Sequence, residues 1–254
     1  MNPVQYLINR RNSGGGGNSG GSSGGGGEVA TMLAGTIDGS VEDVIIPEGT
    51  SKIKQYCFMS SSLKEVSIPN SVTTIEMYGF GSCKNLTSIT LPNSIATISQ
   101  SAFSYCSALT SVTLPNNLKS MGSYVFSNTA LTSIALPNGI TKVDGYCFSN
   151  CKQLASVTFS DNITHIGSYA FESCTSLTSV TLPNSYLYID QGVFQNCTSL
   201  NTVTFKATAK GISTSAFKNC TNLITINVPW SEGGVSGAPW GATNSTINYN
   251  YTGE

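Results

Sequence analysis

The sequence predicts a β-rich solenoid: coils of about 23 residues, parallel strands and short 3₁₀ or helical turns. Three observations carry this. A Leu recurs at Leu63, Leu86, Leu109, Leu131, Leu154, Leu177, Leu200 and Leu223, in steps of 23, 23, 22, 23, 23, 23 and 23 residues. A Phe recurs at Phe58, Phe80, Phe103, Phe126, Phe148, Phe171, Phe194 and Phe217 with the same spacing. Between them, apolar residues alternate with Ser and Thr, the period-2 pattern of a half-buried strand. A fixed period in this range means that each unit buries its apolar side only against its neighbours.

The unit from Leu86 to Cys106 shows how one coil is built. Leu86, Ile89 and Leu91 supply inward positions while Ser88 and Thr90 alternate outward. Pro92-Asn93 makes a turn. Ile95 and Ile98 face inward on a second, shorter extended segment. Ala102-Phe103 then starts a tight helical or 3₁₀ turn that puts Phe103 and Cys106 in the core. Stacking such coils pairs equivalent strands in parallel and turns every inward position into a ladder along the axis.

In chain order, residues 1–13 read as a short amphipathic anchor helix. Asn2 suits the cap and Pro3 the first helical position, and Val4, Leu7 and Ile8 share one face. Ten residues are too few for a stable isolated helix, so this one needs a partner to order it. Residues 14–27 hold ten glycines and form a flexible linker. Residues 28–229 form the solenoid, with 28–50 as an atypical first turn in which Val41, Val44, Ile46 and Pro47 follow the repeat phrase loosely. Residues 230–254 leave the repeat and contain both tryptophans, Trp230 and Trp240. They read as a C-terminal cap, with Thr246–Tyr251 as a final strand.

The phrase L-x-x-[IV]-x-L-P-x-x-[IV]-x-x-I-x-x-x-A-F-x-x-C resembles the BspA-type leucine-rich repeat of bacterial surface and adhesion proteins and some protozoan surface antigens. The resemblance covers about residues 41–229. Departures fall at Ser160-Asp161 and Lys206-Ala207, which replace Pro-Asn, and after Phe58 and Phe126, where the later Cys is lost and the unit is one residue shorter. The resemblance implies a non-enzymatic recognition or adhesion module that presents a repeat surface to a protein or glycan and faces outward from a bacterial cell. A second reading is a structural component of a bacteriophage virion or other large assembly, tethered by residues 2–11. The N-terminus lacks the pattern of a secretion signal, which favours that reading.

Composition narrows the chemistry. Charged residues make up 10% of the 254 and the net charge is −1, so no basic field exists to hold a nucleic acid. No run approaches a membrane span. Six of the eight cysteines lie three residues after the repeat Phe, and Cys57 and Cys147 lie just before it. Cysteine is thus a packing letter in a buried column. Parallel Cβ vectors in stacked coils are poor geometry for a disulfide. No metal and no cofactor is implied, with one histidine and no C-x-x-C. His165 shares its column with Lys142 and Tyr188 and is expected to face solvent. Asp144 and Asp190 read as solvated charge, and no catalytic set converges.

Two outward columns are candidate contact surfaces. Thr90, Thr113, Thr158 and Thr181 belong to a hydroxyl row on the strand face. It is explained equally by the fitness of Thr for a solvated strand. Tyr56, Tyr78, Tyr124, Tyr146 and Tyr169 stand two residues before the repeat Phe, interrupted at Ser101 with Tyr105 nearby. They are either a packing stripe or a recognition surface, a role for which Tyr is suited.

Deleting residues 1–27 should leave the thermal midpoint of the solenoid nearly unchanged and abolish incorporation into the parent assembly, as should changing Leu7 and Ile8 to Asp. Unfolding of the deletion variant in a melting experiment would make the segment a structural cap instead.

Overall fold

The computed structural model describes residues 42–183 and 187–253. The proposed anchor positions Val4, Leu7 and Ile8, the glycine linker and most of the first turn lie outside the described residues. The rest is a right-through stack of about nine coils. Each coil contributes one strand of three or four residues, such as Ser88–Thr90 and Ser179–Leu182, and one of two residues, such as Thr97–Ile98 and His165–Ile166. Both kinds pair in parallel with their equivalents: Ser88 opposite Ser111, Thr181 opposite Thr204, His165 opposite Tyr188.

The strands form where the sequence alternates. Ile89 and Leu91 are buried while Ser88 and Thr90 are exposed. The corner after each long strand is closed by a bond from the third residue after Pro back to its carbonyl, as in Ile95 N–H to Pro92 O (3.0 Å) and Leu118 N–H to Pro115 O (3.0 Å). Where Ser160 replaces Pro, Ile163 N–H makes the same bond at 3.2 Å, so that departure leaves the turn intact.

The third side of each coil differs from the expectation of a helical or 3₁₀ turn: no helix forms among the described residues. Alternate N–H groups point in different directions instead. Cys57, Met59 and Ser61 donate three residues back within the coil, while Tyr56, Phe58 and Ser60 donate forward to Met77, Gly79 and Gly81 of the next. A helix would consume every N–H locally and leave the coils unjoined on this side. The alternation needs left-handed backbone two residues before and two after the Phe. φ is 54–61° at Tyr56, Tyr78, Ser101, Tyr124, Tyr146 and Tyr169, and 58–61° at Ser60, Ser82, Tyr105, Asn128, Asn150, Ser173, Asn196 and Asn219. Asn and Ser hold such a conformation more readily than most side chains.

The core is a set of ladders. The eight repeat phenylalanines are essentially inaccessible to solvent and stack ring on ring with centroids 5.0–5.7 Å apart and planes within 5–12°. At the C-terminal end, Trp240 is fully buried against Phe205 and Trp230, with centroids 6.2 and 6.3 Å away, and its indole N–H donates to Ser236 O at 2.8 Å. Phe217, the last of the spine, donates its forward N–H to Trp240 O at 3.0 Å, and Thr246–Asn248 adds a parallel strand to Thr225–Asn227. Residues 230–253 thus supply the backbone acceptors that a further coil would have provided.

Phe171→Ala or Leu177→Ala should cost roughly 2–5 kcal/mol, because each leaves a cavity in a close-packed ladder. Thr181→Ala, on the outward row, should stay within about 0.5 kcal/mol. Urea midpoints measure both; equal shifts would mean that the strand faces are reversed.

Candidate functional site

The tyrosine column forms one corner of the solenoid. Its backbone is fixed by the forward hydrogen bonds: Tyr124 N–H to Gly145 O (3.2 Å), Tyr146 to Ser168 O (3.0 Å), Tyr169 to Gln191 O (2.9 Å). With Cα in the left-handed region, each ring lies against the following coil. Tyr124, Tyr146 and Tyr169 stack with centroids 4.6 and 5.0 Å apart, and Tyr56 stacks on Tyr78 at 5.5 Å. The column ends at Gly192, which has φ +62°; a Cβ there would run into the Tyr169 ring. The rings are half-buried to exposed, 42% for Tyr56 and 37% for Tyr124, so their edges and phenol groups meet solvent along the stack. Burial and the neighbouring Tyr124, Tyr169 and Glu172 push the Tyr146 phenol up from its ordinary pKa.

Aromatic surface continues beyond Tyr169 on the adjoining short-strand side, which the repeat grammar alone missed. Tyr188 is 51% exposed and lies 6.4 Å, ring to ring, from His165. Gly211, its partner in the next coil, leaves room beside the Tyr188 ring. The signal was present in the sequence: both Tyr169 and Tyr188 are followed 23 residues later by Gly.

Three charge pairs line the same side and correct the expectation of freely solvated groups. His165 Nε2 lies 2.9 Å from Asp190 Oδ2, Lys142 Nζ lies 2.8 Å from Asp144 Oδ1, and Lys54 Nζ lies 3.5 Å from Glu76 Oε1. His165 is half-buried against its aspartate instead of projecting freely. Lys142 keeps its charge more firmly because it donates to Asp144, with the charges of Asp144 and Asp190 adding to this. Partly exposed pairs contribute at most about 1 kcal/mol each; their effect is to fix side-chain positions beside the tyrosines. Among the described residues, no group of three His, Cys, Asp or Glu side chains could hold a metal ion.

The hydroxyl row occupies a different side. Thr90, Thr113, Thr158 and Thr181 are all exposed on the long-strand face. The Pro corner and the short strand lie between this row and the tyrosines, so the two columns do not converge on one ligand-sized site. Ala135 interrupts the row, and a groove of about 490 Å³ opens there, lined by Thr113, Asn116, Ser133, Ala135, Leu136 and Asn138 among others.

All eight cysteines are free thiols and buried. Six also act as donors, a role beyond packing. The Sγ of Cys83, Cys106, Cys151, Cys174, Cys197 and Cys220 donates to the carbonyl of the Phe one coil earlier, at 3.0–3.3 Å. In the two shorter units, Ser61 and Thr129 stand at the same offset from Phe and contact the next coil's thiol, each at 3.3 Å. Burial pushes the Cys151 thiol up to about 11 and those of Cys57 and Cys220 to about 12, from an ordinary value of 9.0. Such thiols are poor nucleophiles at neutral pH.

A sequence profile described as a BspA type leucine rich repeat region matches the chain in six copies, over residues 37–154 and 119–233. Among solved structures, a leucine-rich repeat protein from Eubacterium ventriosum superimposes with a TM-score of 0.58 at 23% identity, covering 84% of this chain and 66% of its own. One from Bacteroides ovatus does so with a TM-score of 0.51 at 22% identity, covering 82% and 74%. The chain thus spans about two thirds to three quarters of the lengths of these two proteins, which share its fold. No curated protein matches the chain significantly.

The thiols provide a pH signature. Their folded-state pKa values lie above the ordinary one, so the stability they contribute is complete below about pH 9 and is lost as pH rises toward 11–12. The melting temperature should therefore be flat between pH 7 and 8.5 and fall steeply above 9. A thiol reagent should label the folded protein slowly at pH 7 and reach all eight cysteines after denaturation. Rapid labelling of the native state would refute the buried column.

Proposed function

The chain belongs to the BspA-type leucine-rich repeat family, and on that premise we propose that it is a non-enzymatic recognition or adhesion module facing outward from a bacterial cell or a particle. The observation that carries this reading is the ordered aromatic corner. Non-glycine residues in the left-handed region cost roughly 1 kcal/mol each, and five of these are tyrosines whose rings remain accessible. Tyr offers large, stiff contact area with a polar tip at low entropic cost. The stack at Tyr124, Tyr146 and Tyr169, extended by Tyr188 and His165, forms a ridge suited to a protein or glycan partner. The hydroxyl row at Thr90, Thr113, Thr158 and Thr181, with its groove at Ala135, offers a second, uncharged contact face. With so few net charges, association depends on shape and hydrogen bonding more than on electrostatic steering.

The second reading, a tethered component of a virion or other assembly, is favoured by one feature of the sequence: an apolar face at Val4, Leu7 and Ile8 followed by ten glycines. The two are compatible. Several solenoids on one scaffold would gain avidity for a repetitive target. No helix of the described residues is long and apolar enough to cross a membrane, so the tether would be peptide to protein.

Immobilised glycans and surface proteins, probed with the full chain, test the proposal. A retained ligand should lose at least tenfold in affinity on Tyr146→Ser with Tyr169→Ser, while the melting temperature falls only slightly, since Ser101 shows that the column's backbone accepts Ser. Retention of full affinity by this variant, or no retained ligand, would overturn it.

A further inference from the structure

The column of tyrosines is broken once, and the break has its own geometry. Tyr56 and Tyr78 form one stack; Tyr124, Tyr146 and Tyr169 form another. Between them stands the coil of Ser101. Its φ of 57° lies inside the 54–61° range of the five tyrosines, and its N–H makes the same forward bond, to Ser123 O at 2.9 Å. The backbone is therefore that of a tyrosine position from which only the ring is missing. Coils repeat at about 5 Å, so the missing ring leaves Tyr78 and Tyr124 roughly 10 Å apart, face toward face across a slot one ring thick. Ser101 itself is only 3% exposed. The same coil carries a second departure. Two residues after Phe103, where the other coils have Ser or Asn, stands Tyr105, with φ 60° and 55% exposure. Among the described residues no ring stacks on it. A strained, accessible aromatic beside an aromatic vacancy is a functional signal, since strain without packing return persists where it serves a contact.

We propose that this slot receives one planar aromatic side chain from a protein partner, which completes a continuous stack from Tyr56 to Tyr169. A ring midway between Tyr78 and Tyr124 lies about 5 Å from each, within the 4.5–7 Å preferred for stacked pairs and matching the 4.6–5.5 Å steps already present. A nucleobase is disfavoured because no basic field would hold its phosphates. This rests on the reading of the tyrosines as a contact surface and adds what they contact.

N-acetyltryptophanamide, titrated into the full chain and followed by NMR, tests the slot. Saturable ring-current shifts at Tyr78 and Tyr124 are expected, with a dissociation constant on the order of 1 mM. Ser101→Tyr should fill the slot, weakening the probe at least tenfold without lowering the melting temperature. Tyr124→Ser, which keeps the backbone type found at Ser101, should weaken it equally by removing one wall, while Tyr169→Ser should leave it unchanged. Shifts that survive Ser101→Tyr and Tyr124→Ser, or equal shifts from arginine amide or methyl glucoside, would overturn the proposal. If a partner's affinity falls in the Tyr146→Ser, Tyr169→Ser variant but not in Ser101→Tyr, the slot fails and the tyrosine surface stands. If neither variant affects it, both fail.

Discussion

Everything in this molecule depends on one constraint: each residue must accept its own counterpart about 5 Å away along the axis. Three sides of every coil meet it with backbone hydrogen bonds, two through parallel strands and one through turns whose alternate N–H groups reach forward. The side chains follow. A Phe in one coil must stack on a Phe in the next, so the spine of eight near-parallel rings is the geometry the spacing leaves open. A Tyr whose ring leans forward must find a stacking partner, a small residue or a Gly, as Tyr124, Tyr78 and Tyr169 do in turn.

The same constraint explains what was legible in the sequence. Inward columns are readable because any polar intruder would be repeated into a fault along the axis; Leu86, Ile89, Ile95, Ile98 and Phe103 are buried as their spacing implies. The turn side was read as helical because small and apolar residues close to a Phe suit a helical turn equally well. What decides the matter is the need to join coils, a requirement between units that no single unit displays. The left-handed positions carry a faint local signal, the Ser and Asn two residues after Phe, but the tyrosines on the other side mask it.

Cysteine illustrates a different gap. Its column was legible as buried, yet its donation to the Phe carbonyl one coil earlier was not, because a thiol among hydrophobes looks like packing. The two shorter units held the clue. Ser61 and Thr129 occupy the offset with hydroxyls, which an apolar column would exclude at a cost of about 1–3 kcal/mol for an unpaired polar group. At His165 and Asp190, sequence placed both residues in outward columns, but the 2.9 Å pairing across adjacent coils depends on side-chain reach that column position alone does not convey.

Function in such a scaffold is written in departures from the repeat. The repeat fixes inward positions and hydrogen bonds, so it leaves the outward positions free, and a perfectly regular exterior would present the same contact at every coil. Specificity needs a place where the pattern changes. Ser101 and Tyr105 change it at one coil, Ala135 opens a groove on another face, and Tyr188 with His165 widens the aromatic ridge near its end. Each occurs with the local backbone ladder intact: Ser101 and Tyr105 both keep their forward bonds, and Tyr188 stays paired between His165 and Gly211. A fold that tolerates such changes without disturbing its spine separates stability from recognition, because the atoms that hold the coils together and the atoms that meet a partner belong to different columns.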